Sequence, residues 1–264
     1  MFYFKQTQRF TFGKNWKRFA QSIDDKSIDL ASSYLQNWLG DQNSKARIID
    51  IGCGSGLFSL AMYRKTCQEI VSFDYDTDSV DTTNELWHRE GSPENWHIFS
   101  GSILDADLVQ HLGQFDIVHC WGVLHHTGDM WKALDNTLKL MKPGGLLLMA
   151  IYAKGPSYEK HLKIKLRYNR ASFLLRRYME LNYYLIPLFR HLFKHRENFS
   201  NWNARNERGM LPWFDMFDWL GGLPYEVASV DEIITFCKER GLDTLKCLEA
   251  GEGGCSEYLL RKPA

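Results

Sequence analysis

The chain has 264 residues, with 32 Lys and Arg against 32 Asp and Glu, and 14% of its side chains are aromatic. That length suits one enlarged domain or a domain with a substantial cap, and the aromatic share suits a well-filled core. Zero formal net charge gives no global electrostatic argument for nucleic acid or an anionic membrane as partner.

No stretch approaches the roughly eighteen apolar residues of a membrane span. The segment from Met1 to Arg9 has no apolar run or small-residue cleavage site, so it does not read as a signal peptide. Cys53, Cys67, Cys120, Cys237, Cys247 and Cys255 form no C-x-x-C pair and no spacing suited to zinc. Reduced thiols, no metal site and a cytoplasmic location are the expectation.

In chain order, residues 1–45 read as an aromatic-rich arm around Phe10, Phe12, Trp16 and Phe19, leading into a helix over 24–38 capped by Asp24 or Ser22. The β-branched run at 47–51 predicts a buried parallel strand. It ends in Asp50-Ile51-Gly52-Cys53-Gly54-Ser55-Gly56 and opens into a helix over 57–64. Glycine at alternate positions permits a tight turn and a close approach of backbone to a ligand. The spacing differs from the dinucleotide fingerprint G-x-G-x-x-G.

A second strand at 69–74 closes on Asp74, about twenty residues beyond the turn. There a carboxylate can accept from both hydroxyls of a ribose. A polar helix over 77–89 follows, broken by Gly91-Ser92-Pro93, then a strand at 96–99, a short helix at 106–111 and a strand at 115–119. A helix over 130–141 with Trp131, Leu134, Leu138 and Met141 inward is stopped by Pro143-Gly144, before a strand at 146–152. The alternation implies right-handed crossovers and a mainly parallel sheet.

From 153 to 208 the pattern becomes helical and basic. Thirteen cations (including Lys154, Lys165, Arg176, Arg177, Arg190, Lys194, Arg196, Arg205 and Arg208) stand against Glu159, Glu180, Glu197 and Glu207. The segment carries +9, so the remainder carries −9. It is read either as a solvated helical face, as a lid for an anionic substrate, or as a surface for a membrane, nucleic acid or partner. The apolar stretch at 181–189 is expected to pack as a cap or to form a dimer contact. A helix over 229–240 is expected to start on a capping box of Ser229 and Glu232. Strands at 242–248 and 256–261 close the chain.

Asp50-Ile51-Gly52-Cys53-Gly54-Ser55-Gly56 followed by Phe73-Asp74 resembles the first two motifs of the class I S-adenosylmethionine (SAM) dependent methyltransferases. Gly101-Ser102-Ile103-Leu104-Asp105 resembles the adenine-edge segment of that family. The run from Phe115 to His126 resembles its fourth strand and following loop, and Lys142-Pro143-Gly144-Gly145 matches the turn into its fifth strand. The resemblance covers 46–152, and is nearest to bacterial members with a helical insertion after strand five. It implies an α/β, Rossmann-like, seven-stranded mostly parallel sheet with helices on both faces and an antiparallel last strand. The expected divisions are an arm at 1–45, a SAM-binding core at 46–152, a basic cap at 153–228 and the rest of the core at 229–264.

The cofactor implied is SAM. Asp50 would lie behind the turn formed by Gly52, Cys53, Gly54 and Gly56. Asp74 would bind ribose, Tyr75 would cover an adenine face, and Ser102 and Ile103 would meet its edge. Cys120 and Trp121 would line the methionine portion, and Trp16 or Asn15 would close over the cofactor. His125 and His126 are the base candidates, because neutral imidazole takes a proton near neutral pH. Asp215, Asp218 and Glu226 are the alternatives. The function expected is methyl transfer to an oxygen of a small polar or anionic acceptor, such as an activated sugar, a phosphoryl compound or a glycan precursor. The competing readings are RNA ribose or protein methylation through the basic insertion, and a non-catalytic partner-binding subunit. Nucleic acid is disfavoured as a partner, and Cys120-Trp121-Gly122-Val123, in place of the tetrapeptide of base N-methylating enzymes, weighs against base N-methylation but not against ribose methylation. A homodimer is left open.

Overall fold

Seven strands pair in the order β3-β2-β1-β4-β5-β7-β6. They are β1 (Ala46–Ile51), β2 (Cys67–Asp74), β3 (Trp96–Ser100), β4 (Phe115–Trp121), β5 (Met141–Tyr152), β6 (Asp243–Leu248) and β7 (Cys255–Arg261). The computed structural model describes residues 9–40, 45–194 and 205–264, with side chains outside 66–67 and 186–194. β1 to β5 run parallel, and β7 lies antiparallel between β5 and β6. This is the Rossmann-like sheet expected.

One sheet face packs Ile49, Val118, Leu147 and Met149 against Leu134, Ile233 and their neighbours. The other packs Ile48, Ile70, Ile117 and Leu148 against Leu35, Leu57 and Leu60. The helices that bring these residues are α2 (Asp25–Leu39), α3 (Leu57–Thr66), α6 (Met130–Lys139) and α10 (Val230–Glu239). Asp24, not Ser22, caps α2, and the Ser229–Glu232 capping box starts α10 as expected.

Three departures from the sequence reading have physical causes. The aromatic arm contains a helix, α1 (Gly13–Ala20), whose first amide donates to Asp76 Oδ2 at 2.9 Å. Asp76 also caps α4 (Thr77–Arg89), so one carboxylate serves two helix starts. Secondly, α6 stops at Lys139 and β5 begins at Met141, earlier than expected, because Phe115 pairs with Met141 and the Gly144 amide donates to the Lys262 carbonyl. Met141 therefore sits in the sheet core and not on a helix face. Thirdly, the block around Trp213 forms a helix, α9 (Pro212–Gly221), with Pro212 at its first position.

Between β5 and α9 lie α7 (Tyr158–Arg170) and α8 (Phe173–Lys194). Lys165, one of the thirteen cations of the basic segment, is buried: its ammonium donates to the Trp219 carbonyl and lies 4.7–5.3 Å from the ring centres of Tyr152, Trp219 and Tyr225. Burial lowers it to about 7. Arg176 donates to the carbonyls of Tyr168 and Asn169, at 3.1 and 2.7 Å, and so closes the end of α7. The side chains of Arg190 and Lys194, the sequence expectations for 1–8 and those for Arg196 and Glu197 lie outside the description. Among the described residues no helix is long and apolar enough to cross a membrane, and Cys53, Cys120, Cys237, Cys247 and Cys255 are free thiols.

Candidate active site

A cavity of about 640 Å³ opens over the carboxyl ends of β1, β2, β4 and β5. Its floor is the turn after β1. Gly52 and Gly54 have φ of +70° and +56°, in the left-handed region where a side chain is strained. The turn is stitched to β2: the Gly52 and Cys53 amides donate to the Phe73 carbonyl, and the Gly54 amide donates to Asp74 Oδ2 at 3.0 Å. A Cβ on Gly54 would stand 3.2 Å from the Trp16 indole, so α1 lays its tryptophan directly on the turn. Asn15 beside it donates to Asp218 Oδ1 at 2.9 Å.

Toward β2 and β3 the wall carries Asp74, Tyr75, Ser102 and Ile103. Asp74 also accepts from the Asp76 amide at 2.8 Å, and each of its oxygens keeps a lone pair for a further donor. Burial raises its carboxyl to about 6. Tyr75 is 61% exposed, with the Arg9 guanidinium 4.3 Å from its ring centre. Arg9 donates across the mouth to the Thr127 carbonyl at 3.0 Å.

Toward β4 the structure separates two residues that the sequence reading had paired. Trp121 lines the cavity, whereas Cys120 is off the wall and lies wholly buried in the core of the opposite sheet face. Successive residues of a strand point to opposite faces, so His119 and Trp121 share one side and Cys120 takes the other. Trp121 Nε1 donates to the Tyr34 hydroxyl at 3.0 Å, and the Arg208 guanidinium stacks 3.7 Å over its ring. Asp50 accepts from Ser59 at 2.5 Å and pairs with His119 Nδ1 at 2.7 Å. Cys53 lines the turn and its thiol, pushed well up by burial, accepts from Thr83 at 3.3 Å.

Beyond Trp121 the wall becomes aromatic: Phe10, Phe12, Tyr152 and Trp219 surround His125 and His126. Both imidazoles follow β4 in a single 3₁₀ turn, Leu124–His126. His125 Nδ1 accepts from the Tyr152 amide at 3.2 Å, which puts its proton on Nε2. His126 Nδ1 lies 2.6 Å from the Pro224 carbonyl and must donate to it, which leaves Nε2 with the lone pair. Burial drives His125 well below the usual imidazole range and His126 down to about 3, so both rings are neutral at pH 7. Asp215 and Asp218 line the same region from α9. Burial raises both, while Arg208 pairs with Asp215 at 3.2 Å. Glu226 is off the wall, accepting from the Gly128 and Met130 amides at the start of α6.

The residues present fit SAM. A side-chain-free turn beside a carboxylate with open lone pairs suits its ribose and backbone, and the Ser102–Ile103 edge suits its adenine. The sequence reading missed His119, Arg9 and Tyr152 in the wall. The pleat alternation that excludes Cys120 was the available signal for His119.

Residues 23–218 match the family model described as a methyltransferase domain. The chain therefore belongs to that family, and it is of the class I SAM-dependent type, with SAM as its cofactor. A ubiquinone biosynthesis O-methyltransferase of Psychrobacter arcticus is 27% identical over 110 residues, 42% of each chain. The matched stretch thus spans less than half of that relative. Solved structures that share the fold include the following two. An O-methyltransferase family protein from Burkholderia thailandensis has a TM-score of 0.56 at 14% identity over 96% of this chain and 58% of its own. Magnesium protoporphyrin IX methyltransferase of Synechocystis, with bound S-adenosylhomocysteine, has 0.53 at 12% identity over 97% and 89%.

Proposed function

We propose that the chain methylates an oxygen of a small acceptor with an apolar or aromatic body, and that His126 receives the proton. The observation that carries this is the fixed tautomer of His126, whose Nε2 lone pair is held ready by the Pro224 carbonyl in an aromatic part of the cavity. SAM supplies the activated methyl when bound. The chain must orient the acceptor, exclude water and take the proton. Phe12, half-buried and 4.9 Å from the His126 ring, offers flat apolar surface to an acceptor ring, and edges of Tyr152 and Trp219 complete an aromatic wall.

An anionic group on the acceptor would meet Arg208 or Arg9, the two arginines of the wall among the described residues. The arginines suit any anionic acceptor, and it is the aromatic wall that supports a phenolic acid more than the activated sugar, phosphoryl compound or glycan precursor that the sequence alone suggested. The O-methyltransferase name of the Psychrobacter relative agrees with an oxygen acceptor. The test is formation of S-adenosylhomocysteine with phenolic, sugar-hydroxyl and amine acceptors matched for size. Turnover restricted to amines would sink the reading.

A further inference from the structure

His119 is a buried imidazole with half of its hydrogen bonding unmet. Its side chain is about 3% exposed, and Nε2 finds no partner among the described residues. Leaving such a nitrogen unpaired is costly, and native interiors rarely do so without a ligand or water. His119 is also among the residues that line the cavity, with Nε2 itself covered just beneath the wall.

The fold fixes which role Nε2 can take. Asp50 on β1 and His119 on β4 are register partners on parallel strands, which puts both side chains on one sheet face. Asp50 is held from behind by a chain of buried hydroxyls: Ser59 donates to it, Ser72 donates to Ser59 at 2.9 Å, and Trp96 Nε1 donates to Ser72 at 3.0 Å. With Oδ2 engaged there, Oδ1 faces His119 Nδ1 and keeps the proton on that nitrogen. Phe58 packs 4.9 Å from the imidazole and blocks rotation. Nε2 is therefore an acceptor, backed by a carboxylate whose field favours a cation.

Position in the sheet says which part of the ligand this acceptor meets. Ribose and adenine residues lie on the β2 and β3 side of the turn, and His119 lies on the β4 side with Phe58 and Trp121. By the family resemblance the methionine end of SAM would lie on that side, beside Trp121, and the only cationic hydrogen-bond donor it would bring is the α-ammonium group. We propose that Nε2 of His119, oriented by Asp50, accepts a hydrogen bond from that ammonium. The proposal rests on SAM being the cofactor of this cavity. Asp50, with both oxygens engaged, then acts through His119 as a positioning residue.

The experiment measures the binding of three ligands by calorimetry: S-adenosylhomocysteine, its analogue with hydroxyl in place of the amine, and 5′-methylthioadenosine, which lacks the amino-acid end. The variants are His119→Phe, His119→Gln and Asp50→Asn. His119→Phe should weaken S-adenosylhomocysteine by about 10- to 100-fold and leave 5′-methylthioadenosine within about twofold. The wild-type preference for amine over hydroxyl should collapse in that variant. His119→Gln, which keeps an acceptor and serves if the Phe variant does not fold, should retain much of the preference. Asp50→Asn reverses the tautomer and should behave as His119→Phe does. Equal losses for all three ligands would reduce His119 to a wall support, and no loss for any would remove it from the site. Either result overturns the proposal. Wild-type protein that binds neither SAM nor S-adenosylhomocysteine would instead overturn the cofactor reading beneath it.

Discussion

His126 Nδ1 donates to the Pro224 carbonyl across 2.6 Å, and the half-buried imidazole packs against Phe12 and Tyr152. The bond sets the tautomer while burial sets the basicity, and the two act in different directions. A nitrogen with a pKa near 3 is a weak base, but it is unprotonated at every physiological pH. Weakness is tolerable here, because methylating a neutral hydroxyl makes an oxonium that is strongly acidic. His126→Ala should lower kcat by about 10²–10⁴ with the Kd for SAM unchanged. The kcat profile of the wild type should show no acid limb near 6.5. A limb there that vanishes in His126→Asn would mean that the ring titrates like an exposed histidine.

The same burial makes the fold acid-sensitive. The folded pKa of His126 lies below the unfolded value, so the unfolded chain binds the proton first. This contribution to stability is present above pH 6.5 and is lost as pH falls toward 3. It amounts to about 2 kcal/mol by pH 5. Thermal unfolding should show Tm falling from pH 7 to pH 5, and falling less in His126→Asn.

Asp74 shifts the other way. Burial raises it to about 6, so lowering pH through 6 protonates the carboxylate that is to accept from ribose. SAM should bind best above pH 6 and progressively worse below. Asp74→Ala should cost about 2–3 kcal/mol, on the order of a hundredfold, and Asp74→Asn should flatten the pH dependence. Calorimetry across pH 5–8 decides it.

Gly54 tests the floor of the cavity. A valine there combines a φ of +56° with a Cβ 3.2 Å from the Trp16 indole. Gly54→Val should abolish SAM binding while circular dichroism stays near wild type. Adding Trp16→Ala should relieve the contact but not the backbone strain, so binding should recover only in part.

The glycine turn and Asp74 were legible in the sequence because their chemistry is local: few residues besides glycine tolerate those backbone angles, and the acid sits at a fixed distance from the turn. The helix α1 was not, since Gly13 and Asn15 are poor helix formers and the group that holds its first turn, Asp76, is over sixty residues away. His119 was hidden inside a strand that reads as apolar, and only its partner on β1 gives it a role. Lys165 reads in the sequence as one of thirteen cations of the basic segment, with nothing to set it apart. Its burial follows from three aromatic rings, on β5, on α9 and in the segment after α9, which no helical periodicity reveals.

The basic cap gives the last test, and the structure moves it to different residues. Arg176 closes α7 through two carbonyls and Arg177 pairs with the buried Glu180 at 2.8 Å, so both are committed to the cap itself. Arg176→Glu and Arg177→Glu should lower Tm, because each puts an acid where a carbonyl or carboxylate already stands. Neither should change the salt dependence of acceptor kinetics. Arg208 faces the cavity from its stack on Trp121, and its pairing with Asp215 holds one edge of the guanidinium. With an anionic acceptor, Arg208→Gln should raise KM about tenfold and flatten the decline of kcat/KM between roughly 0.05 and 0.5 M salt, where the Debye length shrinks from about 14 to about 4 Å. The Kd for SAM should stay within about twofold over the same range. A cap whose charge steers the acceptor as a whole would show the reverse, with salt sensitivity lost in the Arg176 and Arg177 variants and kept in Arg208→Gln.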